Sequence, residues 1–409
     1  MKSKLEWKKN TLGQNGVLKN GLNFNRTQEG NGIPIIKVKD FKDRMFAPKT
    51  GLDELNTNKI KISNDYILEE GDIIIVRSNG NRHLVGRSIF YDKQITPTTF
   101  SGFCIRFRAN FQTVNPKFIL YFLKSSICRE QLSRFVSSTN IQSINQEMLS
   151  NLSLLLPSLK EQNKIVKTLD DLDNKIKNLQ NQNHTLEQTA QAIFKSWFVD
   201  FDGVTEWDDS ELGKIPKGWS VGTIGDFGEI ITGKTPPTKN LEYYGKEYSF
   251  ITIPDMHDKT WILKTERYLS EIAKKDFSKY FLPENSVLVS CIATVGLVSL
   301  NHHTALTNQQ INSIVCSKNI PHTFVYCTMT RLTDQLMTWA SGGSATPNLN
   351  KAHFSSISVL IPHSKVLENF HNITKNSFKK IQKNADNIIH LTKTRDTLLP
   401  KLMSGEIRV

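Results

Sequence analysis

Gly228, four intervening residues, then Gly233, Lys234 and Thr235 match the spacing of a nucleotide-binding P-loop. In such a loop backbone N–H groups cradle phosphates and the lysine reaches them. Here the interior is Glu229, Ile230, Ile231 and Thr232, bulky and partly acidic, and Pro236-Pro237 obstructs the helix that should follow. Pro254-Asp255 with Glu266 and Arg267 is the nearest carboxylate pair to a metal-dependent nuclease centre, but the Glu-x-Lys that completes one is missing. His302-His303 has no carboxylate or cysteine at ligand spacing. The cysteines, Cys104, Cys128, Cys291, Cys316 and Cys327, are odd in number and lack C-x-x-C spacing, so neither a disulfide framework nor a zinc site is indicated. Reduced, mostly buried thiols are expected.

Asn115-Pro116-Lys117-Phe118 comes close to the Asn-Pro-Pro-aromatic pattern that holds an adenine amine. It lacks the second proline, and no G-x-G-x-x-G loop follows a strand; a proline opening a helix explains it better. No catalytic constellation survives, which leaves binding. Arg77, Asn79, Asn81, Arg82 and Arg87 lie in the polar stretch RSNGNRHLVGR. Arginine and asparagine are the side chains best shaped for bidentate bonds to guanine and adenine edges. Lys37, Lys39, Lys42 and Arg44 form a basic run suited to phosphates.

The elements that must position these residues are written twice. At a shift of 212, Trp7, Leu12, Gly13, Gly16 and Gly21 meet Trp219, Ile224, Gly225, Gly228 and Gly233. Ile67–Val76 faces Phe281–Ser290 at 214, and from Pro116 and Pro321 onward the shift holds at 205, laying Ile144–Pro157 on Leu349–Pro362. By position in the repeat, the second-copy candidates are Lys234, Thr235, Lys239, Tyr243, Tyr244, His257 and Lys259. Ile33–Val38, the GDIIIV run and Phe103–Phe107 read as strands of the first copy; Tyr248–Ile253, SVLVS and Ile311–Val315 read as strands of the second. Asn115–Phe135 and Pro321–Ala340 each read as one helix opened by proline.

Each copy ends in a long helix. From Ser158 to Asp202 there is no glycine or proline, and Ile165, Leu169, Leu172, Ile176, Leu179, Leu186, Ala190, Ile193 and Trp197 recur in steps of four and three, with Asn183 breaking the seam. Some 40 residues at about 1.5 Å each make a rod of roughly 60 Å. The second stripe holds Phe370, Phe378, Ile381, Ile388, Leu391, Leu398 and Leu402, with Thr374, Ser377 and Asn384 as polar interruptions. Each stripe needs a cover, and the simplest is the other helix, antiparallel. The expected class is α+β: two related globular domains, 1–155 and 204–362, with helical segments at 156–203 and 363–409.

The formal net charge is +13, of which +10 falls on residues 1–155 and +5 on 363–409. That distribution points to a polyanion, most plausibly nucleic acid. No apolar run approaches the ~18 residues of a membrane span, and the start MKSKLEWKKN lacks the apolar core of a signal peptide. A cytoplasmic location is expected. Two related modules on long helices suit duplex DNA, whose major-groove faces recur about every 34 Å. Because the modules differ in nearly every polar residue, an asymmetric, split target follows.

Ser341–Asn350 (SGGSATPNLN), Leu156–Val166 (LPSLKEQNKIV), Gln191–Val204 (QAIFKSWFVDFDGV), Thr232–Thr238 (TGKTPPT) and Leu398–Val409 (LLPKLMSGEIRV) carry a more specific signal. In this order, duplicated at the repeat spacing, they resemble the specificity subunits of type I DNA restriction-modification enzymes over essentially the whole chain. The resemblance departs at Ser137-Ser138-Thr139-Asn140-Ile141, which stands where a Gly-Gly-x-x-Thr pattern belongs, and in the weaker second seam. It implies two target-recognition domains that each read half of a bipartite sequence in double-stranded DNA. It also implies helices that set the spacer and dock two methyltransferase (modification) subunits, which restriction subunits then join. No cofactor is implied in this chain; the assembled complex would use S-adenosylmethionine, with ATP and Mg2+ for restriction. The competing classes are an autonomous DNA methyltransferase or nuclease targeted by the two domains, and a scaffold bridging two proteins.

Overall fold

A run of four buried aliphatic residues, Ile73–Val76, shows how each half of the chain is built. Side chains alternate across a strand: Ile73 and Ile75 enter one apolar cluster, while Ile74 and Val76 enter another on the opposite face. The sheet is therefore covered on both sides. In the second copy Val287 and Val289 enter one cluster and Leu288 another. The computed structural model describes residues 7–42, 44–81, 84–137, 143–341 and 347–409. The chain forms two compact units, one of residues 1–175 and 391–409, the other of residues 176–390.

In the first unit Lys8–Thr11 pairs antiparallel with Ser153–Leu156. A four-stranded sheet runs in the order Gly16–Asn20, Cys104–Ala109, Ile73–Val76, Ser88–Phe90. A second sheet runs Asp53–Leu55, Glu29–Ile36, Thr99–Phe100, its last pairing parallel. The second unit repeats this frame: Ser220–Thr223 pairs with Ser358–Ile361, and a sheet runs Gly228–Thr232, Ile311–Cys316, Val287–Ser290, Val298–Asn301, Trp261–Ile262. Its other sheet runs Arg267–Leu269, Tyr244–Ile251, Ala305–Thr307, Phe281–Leu282. Each sheet of the second unit thus gains one edge strand over its counterpart.

The P-loop spacing dissolves here, since Gly228–Thr232 is a strand paired with Ile311–Cys316. The helix expected over Asn115–Phe135 is two, Pro116–Lys124 and Ser126–Ser137. Asn115 caps the first through Lys117 N (2.9 Å). Ser125 is extended, and its Oγ accepts from Cys128 N (3.3 Å), so a side-chain cap restarts the helix. The second copy also breaks, at Leu332 and without a side-chain cap, giving His322–Arg331 and Thr333–Ala340.

The first long helix spans Leu159–Phe198 and the second Ser364–Ser404, which carries Pro400 in its last turn. Within the first unit Trp7 touches Glu161 (3.2 Å) and lies against Gly405, while Asp173 meets Arg395 (2.7 Å). Within the second, Asn183 meets Asn384 (2.9 Å) and Phe194 meets Phe370 (ring centroids 5.9 Å). Advancing along one helix retreats along the other in both units, so the segments pair antiparallel. Ile165, Leu169, Ile176, Leu179, Phe370, Ile381 and Leu402 are buried; Leu172, Leu186, Ile388, Leu391 and Leu398 are half-buried. Toward the end of the first helix Phe194 and Phe198 are fully covered, while Ile193 and Trp197 pack at the margin. An unstrained helix drifts about 20° per heptad from a 3.5-residue repeat, so the covered stripe slides by one position.

The five cysteines are free thiols, all but Cys316 fully buried. Burial pushes the Cys128, Cys291 and Cys316 thiols up to about 12, which leaves them unreactive. Among the described residues no helix is long and apolar enough to cross a membrane, and no group of three or more His, Cys, Asp or Glu could hold a metal ion.

Candidate nucleic-acid interface

One end of the larger sheet in each unit is held by the same backbone hydrogen bonds. In the first unit Leu22 N donates to Phe100 O (2.9 Å), Arg77 N to Phe103 O (2.8 Å) and Ile144 N to Arg77 O (2.9 Å). In the second, Lys234 N donates to Thr307 O (2.9 Å), Cys291 N to Gln310 O (2.8 Å) and Leu349 N to Cys291 O (2.9 Å). Three segments converge this closely only where a glycine allows it. A Cβ on Gly21 would lie 2.1 Å from the Ser101 carbonyl oxygen, and one on Gly233 would lie 2.2 Å from that of Asn308.

On this shared frame the side chains differ. The first unit presents Asn23, Arg77, Asn79, Asn81 and Phe103. Arg77 Nη1 lies 3.4 Å from Gly102 O, and Asn79 Oδ1 accepts from Asn81 N (2.8 Å). The second presents Lys234, Thr235, Asn308, Gln309, Gln310 and Asn348. Thr235 Oγ1 bonds Gln309, and Asn308 Nδ2 donates to Gln310 Oε1 (2.9 Å). Of the sequence candidates this brings together Arg77, Asn79 and Asn81 in one unit and Lys234 and Thr235 in the other. Arg82 lies outside the described residues, as do positions 138–141 of the Ser137–Ile141 stretch and 342–346 of Ser341–Asn350.

A second group lines clefts beside the long helices. In the first unit a cleft of about 380 Å³ is lined by Lys42, Arg44, Arg87, Lys124, Arg129 and Arg395 against Asp173 and Asp396. Tyr121 lies behind them, its hydroxyl donating to Asp170 and Asp173 (2.8 Å each), and burial with these carboxylates raises its pKa far above the ordinary tyrosine value. The corresponding cleft of the second unit, about 890 Å³, holds His257 and Lys259 with Lys264, but also Glu187, Asp255, Asp258 and Glu266. The first cleft thus sets six cations against two acids, the second two lysines against four acids.

The remaining candidates sit at the smaller sheets. Lys37 is bound to Glu29 and Asp53 (2.7 Å each) and Lys39 to Asp53 (2.6 Å). Burial pulls the Lys37 pKa down, but bonds to Asp53 and Glu29 outweigh it and hold the ammonium above its ordinary value. This half of the basic run is neutralised locally, because Glu29 begins the strand that Lys37 follows and Asp53 stands on its antiparallel neighbour. Tyr243 OH donates to Asp276 (3.2 Å) and Tyr244 OH to Pro236 O (3.0 Å), while Lys239 is exposed. Phe103, Asn308, Gln309, Gln310 and Asn348 escaped the sequence reading. Their signal was present: Ser101-Gly102-Phe103 falls on Asn308-Gln309-Gln310 as a break between apolar strands that differs in every residue.

The profile of the type I restriction modification DNA specificity domain matches residues 4–188 and again 216–399. The type I restriction enzyme HindI specificity subunit of Haemophilus influenzae is 33% identical over 404 residues, covering 83% of this chain and 87% of that protein. The MjaIX specificity subunit of Methanocaldococcus jannaschii is 27% identical over 320 residues, covering 73% and 72%. Among solved structures, the type I restriction-modification S subunit from M. genitalium superposes with a TM-score of 0.57 at 14% identity, over 98% of this chain and 97% of that one. That likeness is one of fold.

Proposed function

This chain belongs to the type I restriction-modification DNA specificity family, and from that premise we propose that it reads an asymmetric bipartite site in double-stranded DNA. The observation that carries the reading is the shared sheet-end frame, built twice with the same hydrogen bonds and furnished with different side chains. A duplicated frame with divergent loops suits two half-sites of unlike sequence. Base contacts come from the sheet-end loops and phosphate contacts from the basic cleft of the first unit. The long helices set the base pairs between half-sites and offer their exposed flanks to two methyltransferase subunits, through which restriction subunits join. The chain itself is non-catalytic, and S-adenosylmethionine, ATP and Mg2+ act on those partners.

The test is a matched insertion of one heptad in each long helix, beside Asn183 and beside Asn384. Seven residues add about 10.5 Å, or about three base pairs at 3.4 Å each. Methylome sequencing of cells carrying the variant with its methyltransferase should show both half-sites unchanged and the spacer longer. An altered half-site with an unaltered spacer would overturn the assignment of spacing to the helices.

A further inference from the structure

We propose that Phe103 is an aromatic stacking residue of the first unit, laying its ring on a base of the first half-site, whereas the second unit reads with amides at the same place. This rests on the DNA-recognition reading above. Phe103 is 63% exposed. Its backbone is nonetheless held on every side. Cys104 N donates to Ser101 O (2.8 Å), closing a tight turn, and Phe103 N donates to Ser101 Oγ (3.3 Å). Phe103 O accepts from Arg77 N (2.8 Å) and Ser78 N (3.4 Å), and Gly102 N donates to Leu22 O (2.8 Å). A tightly bonded turn therefore carries an uncovered ring on a backbone joined to that of Arg77 and Ser78.

Other exposed apolar residues of this unit differ in setting. Phe111 lies over Gly71, Val17 stands within a strand opposite Arg108, Ile95 lies in the bend before Thr99–Phe100, Leu159 opens the first long helix and Val409 is the last residue. Phe103 alone among these shares the turn network of the base-reading candidates. A ring and a base share flat π-faces, so stacking needs no particular base, and an aromatic wedge can also part a base step. The equivalent residue is Gln310, because Cys104 pairs with Val76 as Ile311 pairs with Ser290. Gln310 is bonded by Asn308 and stands beside Gln309, and amides are fitted to adenine edges. The inference is thus confined to one half-site.

The experiment uses the chain assembled with its methyltransferase partner and a duplex oligonucleotide carrying the sequence methylated in the host genome, with 2-aminopurine placed in turn through the first half-site. Phe103→Ala should weaken binding to this duplex about 10- to 100-fold, the loss of one stacked base, while leaving affinity for unrelated duplex unchanged. Phe103→Trp should retain affinity, and Phe103→Leu, equally apolar but without a π-face, should behave as alanine. Wild-type binding should change 2-aminopurine fluorescence at one or two positions of the first half-site, and Phe103→Ala should abolish that change. Full affinity in Phe103→Leu, or equal loss on cognate and unrelated duplex, would overturn the stacking role. Failure of the wild-type complex to prefer the cognate duplex would instead overturn the DNA-recognition reading itself.

Discussion

His322 begins a helix against Trp261 and His371 (ring centroids 6.1 and 5.8 Å), and burial, then His371, holds its pKa down to about 4. His371 is lowered by burial and by Lys375 and Lys379, and shares a hydrogen bond with Thr323 (3.1 Å). His302, lowered by burial and then by His303 against the pull of Glu284 and Asp386, accepts from Gln382 Nε2 at Nδ1 (2.6 Å), a bond that requires the neutral ring. Groups kept neutral by folding stabilise fully above their unfolded pKa, about 6.5, and lose that contribution as pH falls. Urea titrations should show the midpoint for residues 176–390 dropping from about pH 6.5 toward about pH 4, with His322→Gln removing part of the dependence. A midpoint constant through this interval would mean that the three rings are solvated.

Asn183 interrupts the apolar seam of the first long helix and Asn384 that of the second, and the two interruptions meet. Asn384 is fully buried, its Nδ2 donating to Asn183 Oδ1 (2.9 Å) and lying 3.3 Å from Gln182 Oε1. A slip of either helix by one turn would face each amide with apolar side chains, so the pair selects one register at some cost in stability. Asn384→Leu alone loses the bond to half-buried Asn183 but also removes Asn384 Oδ1, which is buried without a hydrogen-bond partner, so the net destabilisation should stay below about 1 kcal/mol. Asn183→Leu with Asn384→Leu should recover that loss or exceed it, and a thermal double-mutant cycle measures the coupling. Additive effects would show that the amides act independently. Thr374, equally buried, is satisfied within its own helix by donating to Phe370 O (2.8 Å), so it carries no register information.

Net charge across the molecule resolves into an asymmetry between two equivalent clefts, one strongly cationic and one with acids in excess. Each phosphate contact releases counterions and contributes about 0.9 to the slope of log affinity against log salt. Replacing Lys42, Arg44 and Arg87 together by alanine should therefore flatten the slope of the assembled complex by about 0.9 per phosphate lost. Replacing Lys259 and Lys264 should leave it unchanged. Equal flattening by both would mean that the acids of the second cleft do not offset its lysines.

Periodicity and repetition are properties of order along the chain, so the sequence alone determined the duplication, the strands at Ile73–Val76 and Val287–Ser290, both long helices and their antiparallel covering. The absence of a P-loop was equally legible, because Glu229–Thr232 is bulky and partly acidic and Pro236-Pro237 blocks the helix that should follow. The break at Ser125 was not: an apolar, proline-opened run reads as one helix until a serine cap competes with the backbone. Nor could the sequence show that Lys37 and Lys39 spend their charge on Glu29 and Asp53, that Asn183 finds Asn384, or that Phe103 joins the Arg77 loop. These facts depend on which distant segments become neighbours, and only the close approach of packed strands and helices decides whether a charged or apolar side chain is satisfied at home or left facing outward for a ligand.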